Sequence, residues 1–129
     1  MKKYLLFSLL MLISIVGFSQ KHWVFHSIRS AITASVEAAP DWYSKSDKLT
    51  ISDKTITFDL SGTDFPIVWQ ITSFKTADDA IIYELTNDQD AKAYFGVFTH
   101  KDGSSTIIAR LTGNNIVWFY VPRGNLYSY

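Results

Sequence analysis

Three histidines, His22, His26 and His100, are the chain's only imidazoles, and Glu37 and Glu84 are its only glutamates. There is no cysteine, which removes disulfides, thiolate nucleophiles, Cys-ligated zinc and iron–sulfur clusters. On a strand, His22 and His26 share a face but stand roughly 13 Å apart, too far to hold one metal. On a helix the same spacing would suit zinc. The neighbouring residues are β-branched and aromatic, so the strand reading prevails and no metal site is assigned. His100 lies beside Lys101 in a polar turn and reads as solvated.

Other chemistries find no constellation either. A serine nucleophile needs a base and an orienting acid, and no Gly-x-Ser-x-Gly elbow is present. Glycoside hydrolysis needs two facing carboxylates. Glu84 falls on the outward face of its strand, between Tyr83 and Leu85, and most aspartates fall in turns, where they bond backbone groups. The acidic loop of Asn87, Asp88 and Asp90 lacks the glycine and glutamate of a calcium loop. No glycine-rich phosphate loop occurs. No catalytic residue and no cofactor is assigned.

The aromatic surplus is the informative feature: four Trp, seven Tyr and nine Phe among 129 residues. Alternation places Trp69, Tyr83, Phe95, Trp118 and Tyr120 on one, inner face. Rings there pack a core or wall a ligand pocket, and Trp69, Tyr83 and Trp118 are the residues expected to wall it. Phe74, Tyr94, Phe98 and Phe119 fall on the other face, where they cover a second layer or form a partner-binding patch.

The elements that position these residues begin after a targeting segment. Lys2 and Lys3 precede an apolar run over residues 4–16, and Gly17 and Ser19 set small residues before Gln20. This is the pattern of a secretory signal peptide cleaved after Ser19, and it leads to the periplasm or the exterior. A transmembrane anchor needs about 20 apolar residues, more than this run holds. No cysteine follows, so lipoprotein anchoring is not expected. Residues 20–129 remain as a single domain with ten basic and twelve acidic side chains. That balance lacks the basic excess of a nucleic-acid binder.

From Lys48 onward the hydrophobic period is two. A turn at Asp53-Lys54 sets Ile51 opposite Ile56 and Leu49 opposite Phe58. A three-residue loop with Gly103 in the left-handed position sets Val97 opposite Ile107 and Phe95 opposite Ala109. A Gly113-Asn114 turn sets Leu111 opposite Ile116 and Ala109 opposite Trp118. Further strands span residues 23–28, 67–74 and 80–86. Residues 29–39 fit a helical stripe and a strand period alike, and are read as strand with a turn near Pro40-Asp41. Residues 122–129 read as a mobile tail.

About eight short strands joined by short connections predict an all-β, antiparallel up-and-down meander that closes into a small barrel, with an open β-sandwich as the alternative. Membrane strands would be longer, and outward positions here include Asp59, Gln70, Glu84, Lys92 and Arg110, so an outer-membrane barrel is rejected.

With Trp23 in the first strand and a meander behind it, the chain resembles the lipocalin-like (calycin) barrels. Lipocalins carry a Gly two residues before that Trp, where Lys21 stands here, and a late Arg against it, a role open to Arg110 or Arg123. The chain is also similar to small exported bacterial β proteins of unassigned function. That resemblance rests on Lys21-His22-Trp23, Thr86-Asn87-Asp88, Asp102-Gly103 and Trp118-Phe119-Tyr120-Val121. Both resemblances imply a fold type and leave the activity open.

The reading that follows is an exported, non-catalytic binding module for a small apolar ligand or a partner protein. The alternatives are a secreted inhibitor or immunity-type protein acting through loops such as residues 87–90, and a small hydrolase without a sequence motif. Mass spectrometry of the exported protein should find Gln20, free or cyclised, at its N-terminus. An intact Met1 in exported material would contradict this.

Overall fold

The alternation of residues 48–60 has one outcome. Leu49 and Ile51 on one strand, Ile56 and Phe58 on the next, must share a face to leave water together. In a computed structural model, which describes residues 22–111, 113 and 115–128, they do, with Ile51 opposite Ile56 and Leu49 opposite Phe58. The expected signal peptide lies outside the described residues.

Nine strands follow one another: β1 (Trp23–Thr33), β2 (Tyr43–Ile51), β3 (Thr55–Asp59), β4 (Ile67–Thr76), β5 (Ala80–Thr86), β6 (Lys92–Thr99), β7 (Ser105–Arg110), β8 (Ile116–Val121) and β9 (Leu126–Ser128). Each of β2 to β8 pairs antiparallel with its sequence neighbour, and β1 pairs with both β2 and β8. The result is a closed, eight-stranded up-and-down barrel with β9 as an extra strand, and the sandwich alternative falls away. Residues 29–33 continue β1, so the strand reading holds there, but it fails beyond Thr33, where residues 34–38 bend and turn ahead of the turn expected near Pro40-Asp41. The segment read as a tail contains β9, which lies along Trp23–Phe25.

The β6–β7 hairpin has the expected register, Val97 with Ile107 and Phe95 with Ala109. Gly103 sits at φ +91°, the left-handed conformation that the bulged loop demands. The β7–β8 hairpin does not follow expectation. Its pairing is centred on Gly113 itself, so Ala109 faces Val117 and Ile107 faces Phe119. This one-residue slip puts Phe119 and Val121 inside, and Trp118 and Tyr120 outside. A second correction concerns Phe74. Ile71 pairs with Leu85 but Ser73 pairs with Glu84, so Thr72 is an extra, bulged residue. Beyond it Phe74 shares the inner face with its partner Tyr83.

Inside, Phe58, Phe95, Phe119, Leu49, Ile56, Leu85 and Ile107 are fully buried. Outside, Ala31, Ile116 and Trp118 form a smaller cluster with Trp42, which residues 34–42 bring against the wall. The Trp118 indole N–H donates to Thr33 Oγ1 at 2.8 Å. Burial beneath Trp42 explains why a large ring is tolerated on the outer face.

Asp47 is the one buried charged residue in the described structure. Its carboxylate accepts from Ser30 Oγ at 3.2 Å and Ser61 N at 2.8 Å, and Lys45 Nζ lies 3.5 Å away. A buried carboxylate is tolerable only with such partners.

Trp118→Ala should cost roughly 3–5 kcal/mol, as for other buried rings. Trp118→Phe, which keeps most of the ring and loses the bond to Thr33, should cost about 1 kcal/mol. Lys92→Ala, on the exposed outer face, should change stability by no more than about 0.5 kcal/mol. Denaturant titration measures all three, and equal effects would contradict the packing described.

Candidate functional site

The three residues expected to wall a ligand pocket are split by the barrel. Trp69 and Tyr83 point inward, whereas Trp118 lies in the outer cluster. The interior is filled by rings meeting rings. Phe58 and Phe95 cross edge-on with centroids 5.5 Å apart, Phe58 and Phe119 lie at 6.3 Å, and Tyr83 and Phe95 at 6.2 Å. Burial raises the Tyr83 phenol above its ordinary pKa and keeps it neutral. The Trp69 indole N–H is buried without a hydrogen-bond partner. The inner face is therefore a packed core, one of the two arrangements open to an eight-stranded barrel.

The apolar opening lies outside. Along β5, β6 and β7, Ile82, Gly96 and Ile108 are successive cross-strand partners on the outer face. Gly96 has no side chain, so the row dips at its centre. The Phe98 ring folds across the dip, with Cε2 only 2.9 Å from where a Cβ on Gly96 would stand. Tyr94 and Val36, from the segment after β1, add to its lining. The groove has a volume of about 420 Å³, within the range of small-molecule sites. Its one charged lining residue is Arg110, cross-strand partner of Tyr94. Among the described residues Arg110 has no ion-pair partner. Of the two late arginines, Arg110 thus lines the groove, while the Arg123 side chain lies over Gly103.

The sequence placed Tyr94 and Phe98 on the outer face as part of a second layer or a partner-binding patch, but did not single out the dip at Gly96. The signal was available in the outward residues: Tyr94, Gly96 and Phe98 on one strand, flanked by Ile82 and Ile108 on its neighbours.

A hydroxyl–imidazole pair also escaped the sequence reading. His100 Nε2 lies 2.6 Å from Thr106 Oγ1, across the β6–β7 turn. A nucleophile and base at this distance would need an acid to orient the imidazole. The nearby carboxylate, Asp102, is engaged elsewhere: its Oδ1 accepts from Ser104 Oγ at 2.6 Å and from Ser104 N at 2.9 Å. Those bonds hold its pKa below the ordinary value, with a smaller electrostatic contribution from His100. The arrangement is a self-bonded turn.

The 87–90 loop is locally satisfied in the same way. Asn87 Oδ1 accepts from the backbone of Gln89 and Ala91, both at 3.0 Å. Asp90 takes a left-handed φ of +58°, which aspartate tolerates.

Comparison with known protein families, curated proteins and solved structures finds no match for this chain.

The Asp102 carboxyl should titrate below an ordinary aspartate in a carbon-detected NMR pH series. Ser104→Ala should move its midpoint upward by removing the hydroxyl donor. Because the folded pKa is lowered, the contribution to stability is present above the unfolded pKa and lost as pH falls through the folded one. An unchanged midpoint in Ser104→Ala would contradict this assignment.

Proposed function

We propose that this protein is an exported, non-catalytic binding module whose ligand lies in the outer groove over Gly96. The observation that carries the reading is the combination of an apolar trough and a single cation at its edge. Ile82, Phe98, Ile108 and the ring face of Tyr94 offer apolar surface, so they accept a hydrocarbon or aryl body through burial. Arg110 offers a planar fork of donors that matches a carboxylate. The ligand class is a small amphiphile with an apolar body and one anionic head. The packed inner face supports an outside site, and the engagement of Asp102 by Ser104 supports the non-catalytic reading.

Decanoate is a suitable probe, with decanol as its uncharged counterpart. Isothermal titration should show decanoate binding more tightly than decanol, with the difference lost in Arg110→Gln at a cost of about tenfold in affinity. Ile82→Asp, at a half-exposed position that leaves the core intact, should abolish binding of both. Gly96→Val should also weaken binding, because its side chain displaces the Phe98 ring. Decanoate binding that survives Ile82→Asp and Gly96→Val unchanged would overturn the proposal.

A further inference from the structure

A second cleft lies on the other side of the barrel, and its chemistry is different. β3 has five residues against nine in β2 and ten in β4. Its pairing with β2 covers only Lys48–Ile51, so Tyr43–Asp47 pairs with β1 alone. Residues 60–66 run past this shortened wall and leave a cleft of about 430 Å³. One wall is a row of cross-strand partners, His26, Lys48 and Asp59. The opposite wall is the loop, with Thr63, Asp64 and Phe65.

Phe65 is 80% exposed, the most exposed of the large hydrophobic residues in the described structure. Leaving a phenyl ring in water forgoes roughly 1.5–3 kcal/mol of burial. The backbone that carries the ring is nonetheless restrained. Pro66 follows it and restricts Phe65 to extended backbone. The loop behind is anchored by the buried Asp47 carboxylate, which accepts the Ser61 N–H at 2.8 Å. Across the cleft, Asn125 donates from Nδ2 to the His26 carbonyl at 3.1 Å, and the His26 ring meets Tyr127 edge-on at 5.5 Å. The backbone of both walls is therefore restrained, which lowers the entropy cost of binding.

We propose that this cleft binds a saccharide. A pyranose has one face of C–H groups, which rests on the electron-rich face of an aromatic ring. Its rim carries vicinal hydroxyls, each both donor and acceptor. Lys48 Nζ and Asp59 Oδ2 stand 3.8 Å apart, too long for a tight ion pair. They are spaced for a diol whose one hydroxyl accepts from the ammonium while the other donates to the carboxylate. Phe65 supplies the stacking surface, and the Lys48–Asp59 pair reads the hydroxyls. Lys48 and Asp59 offset each other's charge, which favours a neutral ligand over an anionic one.

The probes are two neutral oligosaccharides, cellotetraose and tetra-N-acetylchitotetraose, added separately to the isotope-labelled, signal-cleaved chain. Amide shifts should move at Asp59, Asp64, Phe65 and Asn125 with at least one of them, and leave Gly96 and Ile108 in the apolar groove unmoved. Response to the first alone assigns a plain glucan, and response to the second alone assigns an N-acetylated glycan; either supports the proposal. Phe65→Ala should weaken the response by about tenfold or more, Asp59→Asn should weaken it, and Phe65→Trp should retain it. Both sites, Phe65 and Asp59, are solvent-accessible, so an unchanged amide spectrum elsewhere separates lost binding from lost folding. No shift with either probe at millimolar concentration, shifts centred on the apolar groove, or a response that Phe65→Ala leaves intact would each overturn the proposal.

Discussion

Closure through β1 is the constraint that organises the rest of the molecule. A sheet closes only if its first strand satisfies hydrogen-bonding groups on both edges. β1 does so over eleven residues. One edge is taken by β2, from Trp23 opposite Ile51 to Ser30 opposite Tyr43. The other is taken by two strands in succession. β8 covers Arg29–Thr33, and β9 covers Trp23–Phe25. β8 cannot continue straight, because Pro122 has no N–H to give to the ladder. A turn closed by Asn125 N donating to Pro122 O at 3.1 Å brings the chain back, and His26 N then donates to Asn125 O at 2.9 Å. The register of β1 against β2 shifts between Ser27 and Arg29, and both Ser27 and Ser30 are buried there. Asp47 bonds Ser30 and stabilises this polar stretch of an otherwise apolar interior.

Closure also decides where clefts can form. The interior of an eight-stranded barrel is narrow, and this chain fills it with Phe58, Phe95, Phe119 and Trp69. Rings on the outer face then need their own explanation. Trp118 has one, the cover of Trp42 and the bond to Thr33. Tyr94 and Phe98 have another, the apolar trough at Gly96. A bulky residue at that position would fill the dip and turn the trough into a flat surface.

What was legible in the sequence follows from where a single rule governed. The β2–β3 and β6–β7 registers are set by strict alternation and by a turn with one sensible geometry, Gly103 in the left-handed region. Both could be read directly. The β7–β8 register could not, because Gly113 adopts positive φ at the centre of an odd-length loop as readily as in a two-residue turn. Either choice buries large apolar side chains: Ile116 and Trp118 in one, Val117, Phe119 and Val121 in the other. The second is realised because Trp42 covers what the first would have placed inside. That contact joins residues distant in sequence, and no local pattern announces it. The bulge at Thr72 is equally silent, since neither Gly nor Pro marks it. Tyr94 and Phe98 were legible as an outer-face patch, but the groove they share with Ile82 and Ile108, like the polar cleft, requires knowing which strands become neighbours.

The two clefts arise from two different departures from a regular barrel. In the first, a full ladder is present and a side chain is missing: β6 pairs without interruption on both edges, and Gly96 leaves a dip in an apolar surface. In the second, side chains are plentiful and ladder is missing: β3 ends at Asp59 while β2 extends past it. Backbone groups along that edge must find other partners or water. Where the ladder stops, Asp47 captures Ser61 and draws the following loop alongside, and the polar residues of β1, β2 and β3 are left facing it. A missing side chain on an apolar face produces an apolar trough, and a missing stretch of strand produces a polar one. The difference in chemistry between the two clefts is thus set by which part of the sheet is absent at each.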